Sequence, residues 1–461
     1  MPPSPAVFAA WAGNLSERFQ PLPECRFVNN EGTTGLVRAI GRWSLAALVL
    51  NGIIGSGIFG LPSVVAGLVG RASPLAYLIA AAGIGVIMAC FAEVASRFRE
   101  AGGPYLYTQA AFGRFAGLQM GWLAWLVRLT STAAGANLFV IYLAEFWPRA
   151  KSPLPRLLVI SLLIGILAGI NYRGVSGGAT VSNAFALAKL APLVAFILAG
   201  LFFMFLRKGH IALLDAATPG GAWLEALLVL VFAYGGFEAA MIPLGEARNP
   251  RRDAPFALFV ALGTVTLVYT LVQVVVVGVL PSAAATDRPL ATAARVFFGS
   301  AGAGAMAATA LVSVYGYFTG AMLASPRLTF ALAERGDFPK FFAAVHPKFR
   351  TPHVSIVAFG ALAWLLAVWG TFRWNVTLSA VARLFTYAFV CSALPVLRRK
   401  QPGAAAFRLP AGRLFAAMGI AFSAVLVTRM GRAELLIIAA TSAIALANWL
   451  WVRRRPVPSK T

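Results

Sequence analysis

The sequence predicts an all-α polytopic membrane protein of twelve transmembrane helices, with the first and sixth of them broken. Three observations carry that expectation. Mean hydropathy is +0.79 and only 12% of the 461 residues are charged, a balance foreign to soluble globular chains. Apolar runs long enough to cross a bilayer recur from about residue 43 to residue 452,. Two of them, 43–70 and 222–246, are interrupted by glycine near their centres.

The first run reads WSLAALVLNGIIGSGIFGLPSVVAGLVG and carries Gly52, Gly55, Gly57 and Gly60 before Pro62. Glycine has little reason to stay helical at the Gly55-Ser56-Gly57 step. In lipid an unpaired backbone group is costly, so a broken helix is tolerated only where protein or a watery cavity surrounds it. Two uses of these glycines stand open. They present backbone polarity to a small polar solute, or Gly52, Ser56 and Gly60 form a small-residue packing stripe.

Around this run the chain is organised simply. Residues 1–41 are polar and Pro-containing, with one short apolar stretch, AVFAAWAG, that no basic residue precedes. That argues against a cleaved signal peptide and for a cytoplasmic tail. Apolar runs follow at about 74–97, 114–146, 154–172, 175–206, 222–246, 254–281, 296–333, 352–370, 374–397, 413–429 and 433–452. Gly102-Gly103-Pro104, Trp147-Pro148, Asn249-Pro250 and Pro281 mark turns between them,. With the amino terminus inside, 25 of the 39 Lys and Arg fall in cytoplasmic segments and 11 outside. Both termini are therefore expected in the cytoplasm. The net charge of +24 reads as membrane topology rather than as a nucleic-acid surface. Cys25, Cys90 and Cys391 lie far apart, and with His210, His346 and His353 they offer no metal-ligand spacing,. Neither a metal nor a cofactor is expected.

The second broken run, AWLEALLVLVFAYGGFEAAMIPLGE, has Gly235-Gly236 near its centre, then Glu238, then Pro243. A double glycine beside an ionisable group at mid-depth is hard to explain as packing alone. Five spans separate the starts of the two broken runs, so they run in opposite directions. Interrupted helices at matching places in oppositely oriented halves point to an inverted repeat with a binding site between them. The expected breaks are at about 55–57 and 234–237.

Ionisable groups within the runs are few: Arg128, Lys189, Glu238 and Arg383, with Glu93 near the end of its run. Each is expensive in the membrane unless partnered. Lys189, in AFALAKLAPLV, has no carboxylate within a helical turn. It reads either as a proton-carrying group or as a fixed cation on backbone carbonyls. Glu238 reads as a proton-linked gate, or as a partner of Arg128 or of loose backbone amides. Arg128 and Arg383 read as structural.

Taken together, GIIGSGIFGLP, GGPYLY, FAYGGFEAA with GEARNPRRDAP, and VHPKFRTPH resemble the signature segments of the amino acid–polyamine–organocation transporter superfamily. The likeness spans about residues 40–400. Lys189 in NAFALAKLAPL resembles the fifth-helix lysine of the proton-coupled and cationic-type amino acid permeases. One departure is Pro326, which interrupts an expected Ser-Arg pair in LASPRLTFALAERGDFP. The resemblance implies a five-plus-five inverted repeat with two extra helices and alternating access. It implies that a substrate carboxylate meets the backbone around Gly55, Ser56 and Gly57. The ammonium would meet carbonyls near Ile53, Phe232 and Gly235, with Phe232 and Tyr234 shaping side-chain selectivity. In sodium-driven members a cation bridges the first and eighth helices. Lys189 would place an ammonium there, which implies transport without sodium.

The expected division is a tail over 1–41, a first repeat over 42–206, a second over 207–400, two further helices over 401–452 and a basic tail over 453–461. The function expected is secondary transport of an amino acid or related amine across the plasma membrane, with Lys189 and Glu238 in the coupling. Proton symport and amine exchange both remain open. A membrane-embedded enzyme would want a nucleophile–base pair or metal ligands within the runs. A channel would want rings of like charge or repeated filter segments.

Overall fold

The computed structural model describes residues 40–100, 102–174, 179–206 and 219–453. The tail expected over 1–41 and the basic tail at 453–461 fall almost wholly outside these residues, as do Cys25 and His210. Among these residues the regular structure is helical, and fifteen α-helices follow one another: α1 Arg42–Ile53, α2 Gly57–Val69, α3 Ser73–Ala95, α4 Gly103–Phe112 and α5 Arg114–Leu143. Next come α6 Pro153–Arg173, α7 Ala179–Leu206, α8 Gly220–Tyr234, α9 Phe237–Ala240 and α10 Pro250–Val279. The last five are α11 Pro289–Glu334, α12 His353–Trp369, α13 Phe372–Lys400, α14 Gly412–Val427 and α15 Arg432–Val452.

Proline opens many of these helices. Pro74, Pro104, Pro153, Pro250 and Pro289 all sit in a first turn, where the missing N–H has no intrahelical partner to lose and φ is already set. Thr371 caps α13 by accepting from the Trp374 amide at 3.2 Å,. Nine helical stretches among the described residues are long and apolar enough to cross a membrane. α12 and α14 are shorter apolar helices.

Two boundaries differ from the sequence reading. The segment AGGPYLYTQAAFG, which lies between the expected runs and opens on the Gly102-Gly103-Pro104 turn signal, contains the ten-residue α4. Gly102 and Gly103 take positive φ, 148° and 55°, which reverses the chain and lets Pro104 start the helix. The eighth run, expected from residue 296, begins seven residues earlier at Pro289 and bends at Gly299, with φ 64°. Arg288 and Arg295 made that first turn look like loop, yet both reach Glu145 instead.

The outside of the molecule is apolar. α6 buries Ile160, Ile164, Leu167 and Asn171 as one stripe and exposes Leu154, Leu158, Leu162 and Ile166. Exposed aliphatic faces on this scale are the mark of a lipid-facing helix. α15 likewise buries Glu434, Ile438, Thr441, Ala445, Asn448 and Val452 at alternating spacings of four and three, a single seam. Inside, α13 lies along α5 and α14, α10 along α3 and α1, α11 along α5 and α7, and α2 along α8.

Polar knots pin the helix ends. Buried Glu93, at the end of α3, accepts from Arg97 at 2.8 Å, from Arg398 at 2.8 and 2.5 Å, and from the Leu409 amide at 2.9 Å. Asp337, after α11, holds Arg114 at 2.7 Å and Tyr105, while its carbonyl accepts from Asn448 at 2.7 Å. Just before α1, Ile40 pairs with the segment after the second broken run. Its amide donates to the Glu246 carbonyl at 3.0 Å, and its carbonyl accepts from Arg248 at 2.8 Å.

Candidate functional site

Both expected interruptions are present. The first lies between α1 and α2, over residues 54–56, and the second between α8 and α9, at Gly235 and Gly236. Their causes differ. In the first, the non-helical torsion belongs to Ile54, with ψ 88°. Gly55 has no positive φ, and a Cβ there would meet only Tyr317, at an ordinary 3.8 Å. In the second, Gly236 has φ 114°, a conformation that L side chains rarely adopt.

The two breaks touch through their backbones. A Cβ on Gly236 would lie 2.7 Å from the Gly52 carbonyl carbon, with the Gly52 oxygen nearer still. A Cβ on Gly52 would meet the Gly236 oxygen at 3.1 Å. One turn on, a Cβ on Gly57 already has Ala233 Cα at 3.0 Å. Gly60 has no room for a side chain beside Leu138 and Phe372. Of the expected packing stripe, Gly52 and Gly60 are in close contact, Gly57 joins them in place of Ser56, and the chain opens between them.

The opening leaves backbone groups without partners. The amides of Ser56 and Gly57, at the start of α2, make no hydrogen bond among the described residues. Ser56 is nonetheless buried. Several carbonyls are partly engaged. Ile53 accepts from Tyr269 Oη at 3.1 Å. Phe232 accepts from the Gly235 amide at 3.2 Å and from Arg383 Nη1 at 3.4 Å, which fills both of its lone pairs. No donor among the described residues meets the Gly235 carbonyl.

Lys189, on α7, is buried and stands against the first break. Its Nζ donates to Asn51 Oδ1 at 2.7 Å and to the Ile54 carbonyl at 3.0 Å. The ammonium therefore ties α7 to the residue that bends the chain.

Glu238 finds its partner on α13. Arg383 Nε donates to Oε1 at 2.9 Å, while Tyr387 Oη at 3.2 Å and the Gly236 amide at 2.8 Å reach Oε2. Of the partners considered for Glu238, Arg128 is not one: that side chain makes one long contact, 3.4 Å to Ser325 Oγ, and no ion pair among the described residues. The contact with a loose backbone amide is present, at Gly236. Arg383 continues across the break. Its guanidinium carbon lies 5.5 Å from the Phe232 ring centroid, a cation–π distance. Nη2 reaches Ser131 Oγ on α5 at 3.3 Å, and Ser131 in turn meets Ser379 Oγ at 2.9 Å.

Of the residues expected at the site, Ile53, Gly55, Ser56, Gly57, Phe232, Gly235 and Glu238 gather at the two breaks, and Lys189 reaches the first. Tyr234 turns away: its hydroxyl donates to the Tyr77 carbonyl at 3.1 Å and its ring packs on Tyr269. Arg383, Ser131 and Asn51 were missed as site residues. Ser379, Arg383 and Tyr387 recur every four residues in one apolar run, a polar face that the sequence does show,. No cluster of metal-ligating side chains occurs among the described residues.

An all-helical membrane protein whose two interrupted helices cross backbone to backbone is built as a carrier of small polar solutes. The family comparison agrees: the amino acid permease model matches residues 40–446, and the chain belongs to that family. It is similar to a methylthioribose transporter of Bacillus subtilis (strain 168), 28% identical, covering 86% of this chain and 89% of the relative. It is also similar to the serine/threonine exchanger SteT of the same organism, 28% identical over 72% of this chain and 77% of the relative. A putative arginine/ornithine antiporter of that organism is 29% identical over 67% of this chain and 72% of the relative. The family and these relatives are transporters, not enzymes.

Proposed function

We propose that the chain is a secondary transporter that moves an amino acid or related amine across the plasma membrane by alternating access, independently of sodium. In this reading twelve helices cross the membrane and both termini are cytoplasmic. Residues 42–206 and 207–400 form the two inverted repeats, and residues 401–452 add two helices. The observation that carries it is the pair of touching breaks, with unspent amides at Ser56 and Gly57 on one side and an unspent carbonyl at Gly235 on the other. A half-helix amino end attracts a carboxylate and exposed carbonyls attract an ammonium, so the pair suits a zwitterion. Phe232 contributes its ring, its carbonyl being occupied by Arg383.

Lys189 supports sodium independence. A tethered ammonium on the Ile54 carbonyl does the bridging work of a bound cation, as in the fifth-helix lysine branch. If Lys189 releases its proton inward in each cycle, the carrier is a proton symporter. If it stays charged, the chain works as an exchanger, a second reading favoured by the relatives named as an exchanger and an antiporter. The test is uptake of labelled amino acids into proteoliposomes, without sodium, with and without an imposed pH gradient. Uptake of none of them, or an absolute need for sodium, would overturn the proposal.

A further inference from the structure

Charge around the breaks does not balance. Among the described residues, Lys189 on α7 and Arg383 on α13 stand at the two interruptions against one carboxylate, Glu238 on α9, and Arg128 on α5 adds a third cation whose one contact is Ser325 on α11. Arg383 and Glu238 neutralise each other, and the Lys189 ammonium rests on neutral oxygens. Arg128 stands one turn before Ser131, which touches Arg383, so the guanidinium groups share one wall of the site.

Arg128 in particular, and Arg383 in part, keep donors with no partner among the described residues. A guanidinium carries five N–H groups. Arg383 commits one at 2.9 Å to Glu238 and two more at 3.4 and 3.3 Å, near the limit of hydrogen bonding. Arg128 commits one, at 3.4 Å. Cations within membrane spans are kept when something pairs them, and the planar fork of arginine matches a carboxylate better than any other anion receptor of the side-chain set. Carbonyl and hydroxyl acceptors at such distances are weak substitutes for it.

We infer that this wall is the receptor for a second carboxylate, so that the transported solute is a dicarboxylic amino acid bearing a net negative charge. Resting on the carrier function proposed above, this gives each group of the solute a counterpart. Its α-carboxylate lies on the Ser56 and Gly57 amides and its ammonium on the Gly235 carbonyl. Its side-chain carboxylate lies between Arg128 and Arg383. Glu238 keeps Arg383 oriented and repels a second carboxylate placed on the wrong side. A neutral or cationic side chain would leave the Arg128 charge uncompensated, and a cationic one would add to it.

The test is competition for uptake, and thermal stabilisation of the purified wild-type protein, using aspartate, glutamate, asparagine, glutamine, serine and arginine as probes. Aspartate or glutamate should compete at concentrations at least about tenfold lower than its own amide, and should stabilise the protein where the amide does not. In Arg128→Gln, which breaks no ion pair, the preference for acid over amide should fall by about tenfold or more. The stabilisation arm on the wild type decides the matter if that variant does not insert. Transport of serine or arginine that acidic amino acids fail to inhibit would overturn this inference while leaving the carrier function intact. Uptake of none of the six would also overturn this inference, whereas the carrier function falls only if no amino acid of the wider panel is taken up.

Discussion

Replacing Gly236 with alanine tests the crossing of the two broken helices most directly. At φ 114° an L residue is strained, at about 1–3 kcal/mol. The new Cβ would also stand 2.7 Å from the Gly52 carbonyl carbon. That group belongs to α1 and cannot swing aside as a side chain tip would. Overpacking of this kind adds about 1–3 kcal/mol, so the expected total is about 2–6 kcal/mol. A loss of 1 kcal/mol moves Tm by about 2–4 °C in chains of 150–250 residues, and by less in a longer one. Gly236→Ala should therefore melt several degrees below the wild type in detergent, by fluorescence-detected unfolding, and should lose uptake. Gly55→Ala is the control: its Cβ meets only Tyr317 at 3.8 Å, so its stability should stay within about 1 kcal/mol of the wild type. If both variants melt with the wild type, the contact of Gly236 with Gly52 is not there.

Three further outcomes are expected. Gly57→Val, whose Cβ would press on Ala233 Cα at 3.0 Å, should insert but lose uptake; wild-type transport by it would refute the close approach of α2 to α8. Lys189→Ala removes the ammonium from Asn51 and Ile54 and should abolish accumulation driven by a pH gradient while substrate-induced thermal stabilisation persists; full accumulation would show that the lysine is not in the coupling. Tyr105 lies outside the membrane helices, and burial first, then the Asp337 carboxylate, raises its pKa above the ordinary 10.0. Its contribution to stability is therefore complete below pH ~10 and declines as pH rises beyond it, so the melting temperature should fall less steeply above pH ~10 in Tyr105→Phe than in the wild type.

The helical runs and both interruptions were legible because lipid makes the code strict: apolar length gives the helix, and glycine within it marks the break. The reason for the first break was not legible. Gly55 drew attention, yet Ile54 carries the bent torsion, and the neighbouring glycines are needed for room. Partners of the charged groups were also hidden. Glu238 and Arg383 are 145 positions apart, and nothing local distinguishes Arg383 from Arg128 as the counter-ion. Only the four-residue spacing of Ser379, Arg383 and Tyr387 pointed to a polar face. Asn51 was invisible for a similar reason: an amide at the end of α1 gains meaning only once Lys189, 138 residues away, is laid beside it.

The meeting of Gly52 and Gly236 has a consequence for how such a protein can change its cargo. The two residues touch through main-chain atoms alone, so no solute is favoured or refused by side-chain chemistry at that point. In the proposed carrier, discrimination falls to the surrounding walls: Phe232 on α8 itself, and Ser131, Tyr317, Arg128 and Arg383 on the neighbouring α5, α11 and α13. A lineage could exchange one solute for another by rewriting those walls a residue at a time, with the crossing inherited unaltered at every step. On the proposed function, the crossing and the walls that choose the solute are then separately heritable.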